Sequence, residues 1–167
     1  MPRPALVLAT GGVALALPVW FLGPSPAAVH RASETEVQSH VVRQLVGSWR
    51  LVSYAQRGAD GGLSYPFGRD AVGKLTYTRD GNQWATIGRP GAAKNLPDAF
   101  FYTGTFDVRP NGRTIVHHVR YSSVLAWEGT DLVRSFRLRA NRLTLTIAPT
   151  SPGQPTGIIT WRRLRPG

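Results

Sequence analysis

The chain has no cysteine, so no disulfide can staple it, no lipid can be attached through a thiol, and its stability must come from an apolar core. Negative charge is also scarce. Nine Asp and Glu face 20 Lys and Arg, 18 of them Arg, for a formal net charge of +11. A field of that sign attracts anionic surfaces. The arginines nevertheless alternate with apolar residues instead of forming a run, which reads as solvated surface charge. No nucleic-acid-binding motif accompanies them, so nucleic acid is not an expected partner. Signatures of chemistry are missing as well: there is no Gly-x-Ser-x-Gly elbow, phosphate-cradling glycine loop or dinucleotide fingerprint. His117 and His118 are adjacent and diverge on a strand, while His30 and His40 fall in the N-terminal tail and helix, so no chelating set forms. Nor does any pattern mark an axial haem ligand. No metal or other cofactor is expected.

What is present suits one domain, since 167 residues, 42% of them hydrophobic, can bury a core without staples. Eighteen Gly and 13 Pro are spread between short apolar runs, as expected of many turns joining many short strands. Residues 1–27 stand apart. Arg3 precedes an apolar run from Ala5 to Leu22, and Ser25-Pro26-Ala27 supplies small residues for cleavage before Ala28. This reads as a secretory signal and predicts a secreted or cell-envelope protein. The rival is an uncleaved anchor associating the chain with a membrane, because the apolar run is just long enough to cross one, although Gly11, Gly12 and Pro18 weaken it.

Residues 28–44 are expected to form a tail and a short helix. Ser33-Glu34-Thr35-Glu36 fits a capping box that starts the helix, Val37, Val41 and Leu45 recur every four residues, and Gly47 can end it. From Trp49 the period falls to two, and residues 45–165 read as one barrel domain. Eight strands are expected: Trp49 to Tyr54, Lys74 to Thr78, Gln83 to Ile87, Phe101 to Val108, Thr114 to Tyr121, Leu132 to Arg139, Arg142 to Ala148 and Gly157 to Leu164. Asp80-Gly81, Asn111-Gly112 and Ala140-Asn141 mark hairpins. Residues 88–99, broken by Pro90, Gly91 and Pro97, read as a loop lying across an opening. Trp49 in the first strand and Arg162 or Arg163 in the last can stack only if the sheet closes on itself. The fold class is therefore all-β, an eight-stranded up-and-down antiparallel barrel. Closure removes exposed edges, and a barrel of this size can hold one small ligand.

Several motifs carry a family resemblance. Leu45-Val46-Gly47-Ser48-Trp49-Arg50-Leu51-Val52-Ser53-Tyr54, Tyr65-Pro66-Phe67-Gly68, Gly73-Lys74-Leu75-Thr76-Tyr77-Thr78 and Asp80-Gly81 resemble the first half of the bacterial and fungal lipocalin-like domain family, within the calycin superfamily. His117-His118-Val119, Trp127-Glu128-Gly129-Thr130-Asp131 and Arg134 resemble its second half. The resemblance implies a barrel closed at one end by the N-terminal helix, with a ligand cavity opening at the other, and implies no particular activity. Trp84 stands where relatives often carry a smaller or more flexible apolar residue, so an inward Trp84 would narrow the cavity.

Alternation assigns faces. Leu132, Arg134, Phe136 and Leu138 form the more apolar face of their strand and are expected inside. Arg134 then needs an acidic partner, a ligand anion or water. The acidic alternatives are Asp107, Glu128 and Asp131. His117 is the inward histidine, as a functional group or a satisfied core residue, and His118 faces solvent. Tyr77, Trp84, Tyr102, Phe106 and Trp127 are the expected aromatic lining. The expected ligand is a small hydrophobic or amphipathic molecule with an acidic or carbonyl group. It would be oriented by Arg134 with His117 or Tyr77. The alternative from another class is a cofactor-free cyclase, isomerase or dehydratase of secondary metabolism, with His117 as acid or base and Arg134 stabilising a developing negative charge.

Overall fold

Helix α1 (Pro26–Leu45) feeds directly into the first strand of a sheet that curls round to meet its own beginning. The structure, a computed structural model, describes residues 25–91 and 98–165. Its strands are β1 (Gly47–Arg57), the two-residue β2 (Leu63–Ser64), β3 (Val72–Tyr77), β4 (Asn82–Gly88), β5 (Ala99–Val108), β6 (Thr114–Ser122), β7 (Asp131–Arg139), β8 (Arg142–Ile147) and β9 (Thr156–Arg163). All pairings are antiparallel and, apart from the closing pair β1–β9, join strands that follow one another in the chain, β2 being only a stub on the end of β1. Eight pairs of registered residues join β1 to β9 and complete the cylinder. The eight-stranded barrel expected from the sequence is thus present.

The end from which β1 starts is packed solid. Trp49, fully buried, donates its indole N–H to the Leu45 carbonyl at 3.0 Å. The Arg163 guanidinium carbon lies 4.0 Å from the Trp49 ring centroid. The same guanidinium donates to the carbonyls of Val46, at 2.7 Å, and Gln44. One arginine therefore satisfies carbonyls left open where α1 ends while stacking on the ring beneath. Leu45 is fully buried against this layer, with Val41 and Val42 packed beside it, and Gln38 donates to the Val108 carbonyl at 2.7 Å. The apolar stripe of α1 covers this end.

The helix differs from expectation in length and start. It runs 20 residues from Pro26, with Ser25 as its cap and the Ser25 hydroxyl accepting from the Ala28 amide at 3.3 Å. Proline at the first helical position, preset to helical φ and with no N–H to leave open, makes Ser25-Pro26 an effective start. Ser33 lies within the helix and donates its hydroxyl to the His30 carbonyl at 2.7 Å, so the expected capping box does not form. The expected mature start at Ala28 falls in the first turn, and most of residues 1–27 lies outside the described residues. No described helix is long and apolar enough to cross a membrane. Of the loop expected over residues 88–99, β4 extends to Gly88 and β5 begins at Ala99, while residues 92–97 lie outside the described residues.

Candidate ligand-binding site

Away from α1, the barrel holds a cavity of about 210 Å³. Leu75, Ala85, Ile87, Leu145, Ile159 and Trp161 form its apolar wall. Tyr54, Phe100 and Trp127 stand nearer the mouth, where Phe67, from the segment between β2 and β3, joins them. Phe67 stacks on Tyr54 at 5.9 Å and meets Phe100 edge-on at 5.6 Å, and Phe100 meets Trp127 at 5.2 Å. These rings make an aromatic collar.

Among the described residues, one charged side chain reaches this cavity. Arg134, in the middle of β7 and 6% exposed, alternates inward with Leu132 and Phe136 and lines the wall. Its Nε has no hydrogen-bond partner among the described residues. The acidic partners considered from sequence are engaged elsewhere. Asp107 and Asp131 hold His118 on the outer surface, at 2.9 and 2.6 Å, and Glu128 accepts from the Ser122 amide at 3.0 Å. Register explains the diversion, because His118 pairs directly with Asp131 and, across the other neighbour, with Thr105, two residues from Asp107. A guanidinium cannot shed its charge to escape burial, so Arg134 is a cation facing apolar walls.

Beside it runs a polar chain. Fully buried His117 on β6 has Nε2 2.8 Å from the Tyr77 hydroxyl and Nδ1 2.9 Å from the Tyr102 hydroxyl. Burial first, then the Arg134 charge, holds the His117 pKa well below the ordinary value, so the ring is neutral. Burial likewise raises both phenols, with Arg134 pulling the other way. A neutral imidazole donates from one nitrogen and accepts at the other. Tyr77 is buried, with His117 its one side-chain partner among the described residues. Its proton goes unaccepted unless Tyr77 donates to Nε2. The ring proton then sits on Nδ1 and donates to the Tyr102 oxygen, an assignment made from the network. That leaves the Tyr102 hydroxyl proton free on the cavity wall, near the Arg134 guanidinium. Trp161, also in the lining, has an unpartnered indole N–H. Arg134, Tyr102 and Trp161 thus offer donors to the cavity, beside the Tyr54 hydroxyl, which can donate or accept.

Sequence reasoning located this cluster in part. Arg134, Tyr102 and Trp127 line the cavity, whereas Tyr77 and His117 lie behind Tyr102 and do not. Phe106 is buried and packs on Tyr77 at 4.6 Å. Trp84 is a correction: Gln83, Ala85 and Ile87 take the inner face of β4, and Trp84 projects outward, 42% exposed. The cavity is not narrowed by it. Tyr54 was missed because β1 bulges between Leu51 and Ser53, which reverses the alternation counted from Trp49. Phe67 was missed because it lies between strands, where there is no period to read, and Phe100 because the expected strand began at Phe101, one residue short of it.

A closed antiparallel barrel with an apolar, donor-bearing hollow is the architecture of small-molecule-binding barrels. The lipocalin-like domain profile matches residues 46–101 and 91–164, and the chain belongs to that family, whose barrels generally bind small hydrophobic ligands. No curated protein matches the chain. Among solved structures it matches that of the lipoprotein YedD from Klebsiella pneumoniae subsp. pneumoniae, with 13% identity over 73% of each chain and a TM-score of 0.38. No group of three or more metal-ligating side chains occurs among the described residues.

Proposed function

We propose that the protein is an exported carrier for a small, largely apolar molecule bearing a carboxylate or carbonyl. The observation that carries this reading is the buried guanidinium of Arg134, without an acidic partner, in an apolar cavity to which Tyr102 and Trp161 also offer donors. A ligand oxygen supplies the missing acceptor, with Arg134 and the free Tyr102 proton converging on it. The collar of Tyr54, Phe67, Phe100 and Trp127 covers the apolar body. Size narrows the class: a cavity of about 150 Å³ accepts benzene, so about 210 Å³ suits one ring with a short acidic arm.

Carriage is favoured over catalysis by the state of His117. Both its nitrogens are occupied by phenols and it does not line the cavity, so it positions Tyr102 and does not meet a ligand as acid or base. Export rests on the N-terminal segment, with residues 1–27 as the signal or anchor, 28–44 as tail and helix, and 45–165 as the carrier domain. Intact mass of the protein from its own host tests that boundary.

The ligand reading is tested by titrating 3-phenylpropanoate and 3-phenylpropanol while following the fluorescence of Trp127 and Trp161. The acid is expected to bind at least about tenfold more tightly than the alcohol, as a charge-assisted hydrogen bond outweighs a neutral one. Arg134→Met is expected to erase that preference. Equal affinities in the parent protein, or an acid preference that survives Arg134→Met, would overturn the assignment.

A further inference from the structure

Strand register places five cations side by side on the outer wall. Lys74 pairs with Arg50, Arg50 with Arg162, Arg162 with Arg142, and Arg142 with Arg139. The row crosses β3, β1, β9, β8 and β7 without a break, and paired residues project to the same face. All five side chains belong to exposed residues, and none forms an ion pair among the described residues. Strands β1, β3, β8 and β9 contain no Asp or Glu. The one acidic residue of β7, Asp131, is held by His118. Like charges directly opposite one another across strands destabilise a sheet. The row therefore opposes the fold unless something anionic covers it.

Geometry selects among anions. Neighbouring strands lie about 4.8 Å apart, so five in register span roughly 19 Å. Five of the eight barrel strands carry the row, so it wraps about half the circumference. A flat bilayer touches such a curve along a few strands at a time, whereas a flexible chain can follow it. Ser53, Thr160 and Thr144 form the adjoining row, which continues to exposed Arg137, and add hydroxyl donors. Bases of a nucleic acid would need aromatic platforms, but hydroxyls, not rings, flank the arginines. Trp84 lies one strand beyond Lys74.

We propose that this row is a binding track for a flexible linear phosphate polymer, on a surface separate from the ligand cavity. Guanidinium forks match phosphate oxygens in pairs, and four of the five cations are arginines. The sequence reading of scattered, solvated charge missed it because four of these residues lie in strands far apart in the chain. Only register brings them together.

The test follows long-chain linear polyphosphate binding by anisotropy of a labelled chain, with tripolyphosphate, oligo-dT and anionic phosphatidylglycerol vesicles as competitors. Long polyphosphate is expected to bind with a log–log salt slope of about −3.5, as five contacts to a single chain imply. The triple variant Arg50→Gln/Arg142→Gln/Arg162→Gln is expected to reduce that slope to about −1.4 and weaken binding about tenfold or more. The charge-matched control Arg57→Gln/Arg109→Gln/Arg113→Gln is expected to keep both near parental values. The row variant should also melt higher than the parent at low salt, which separates lost binding from lost folding. Equal losses in the two triple variants, tripolyphosphate competing as well as the long chain, or tighter binding to vesicles or oligo-dT would each overturn the proposal.

Discussion

Arg163, in the last strand, lies with its guanidinium 4.0 Å above the ring of Trp49, in the first. The pair spans the seam between β1 and β9 and also ties in α1 through the carbonyls of Val46 and Gln44. Stacking of this kind contributes roughly 0.5–2 kcal/mol, and the charged hydrogen bond to the part-buried Val46 carbonyl about 1.5–3 kcal/mol. Arg163→Ala is therefore expected to lower stability by about 2–4 kcal/mol in urea unfolding. Arg163→Lys should recover less than half, because an ammonium cannot stack and fork at once.

The two neighbouring histidines should give stability opposite pH dependences. His117 has a depressed pKa from burial and the Arg134 charge. Below its ordinary value the unfolded chain takes up a proton there that the folded chain refuses, so stability falls as pH drops, by up to about 1.4 kcal/mol per pH unit. His118 has a raised pKa, through hydrogen bonds to Asp107 first and then Asp131. Its contribution is complete below the ordinary histidine value and disappears as pH rises through the raised one. Solvent screening keeps that contribution below about 1 kcal/mol. The parent should thus be most stable near the ordinary histidine pKa. His118→Gln should flatten the alkaline flank and leave the acid flank intact, as read by thermal melts across pH 4–9 in low-salt buffer.

Arg134→Met should stabilise the ligand-free protein. The substitution replaces a buried cation lacking an acidic partner with an apolar side chain of similar length, and exchanges of buried charge for packed hydrophobic residues are neutral to about 4 kcal/mol stabilising. Differential scanning calorimetry without ligand should show a higher Tm. A Tm lowered by several degrees would mean that Arg134 already has its partner within the protein.

The barrel was legible because its signals are local: alternation, turn residues at fixed places, and an aromatic and a cation at the two chain ends that need each other. Alternation also turned Arg134 and His117 inward correctly, since neither lies beyond an irregularity in its strand. It failed wherever facing depends on tertiary detail. The bulge in β1 hid Tyr54, and Trp84 was placed by its size although Gln83 and Ala85 take the inner face. The helix start was misread because two serines offered starts and the weaker one, Ser33, came with a persuasive Glu36. Partner choice was beyond sequence altogether. Whether Asp131 meets Arg134 or His118 is decided by a register that only the folded sheet possesses.

The tyrosines on either side of His117 should both matter for stability but differ in their effect on binding. Tyr102 lines the cavity and, by the tautomer argued above, offers its hydroxyl proton to a ligand, whereas Tyr77 spends its proton on Nε2 at 2.8 Å. Tyr102→Phe removes a ligand donor and leaves the buried Nδ1 proton without its acceptor, so stability should fall and affinity for 3-phenylpropanoate should drop about threefold to tenfold, the net value of one hydrogen bond. Tyr77→Phe leaves a buried ring nitrogen without its donor. It should cost about 1–3 kcal/mol of stability while changing affinity less than about twofold. Nitrogen-15 NMR of the imidazole reads the tautomer directly, the Nδ1-protonated form giving distinct shifts for the two ring nitrogens. If the proton proves to reside on Nε2, the roles exchange: Tyr102 then donates to the ring, its hydroxyl proton is no longer free, and Arg134 alone would hold the ligand oxygen.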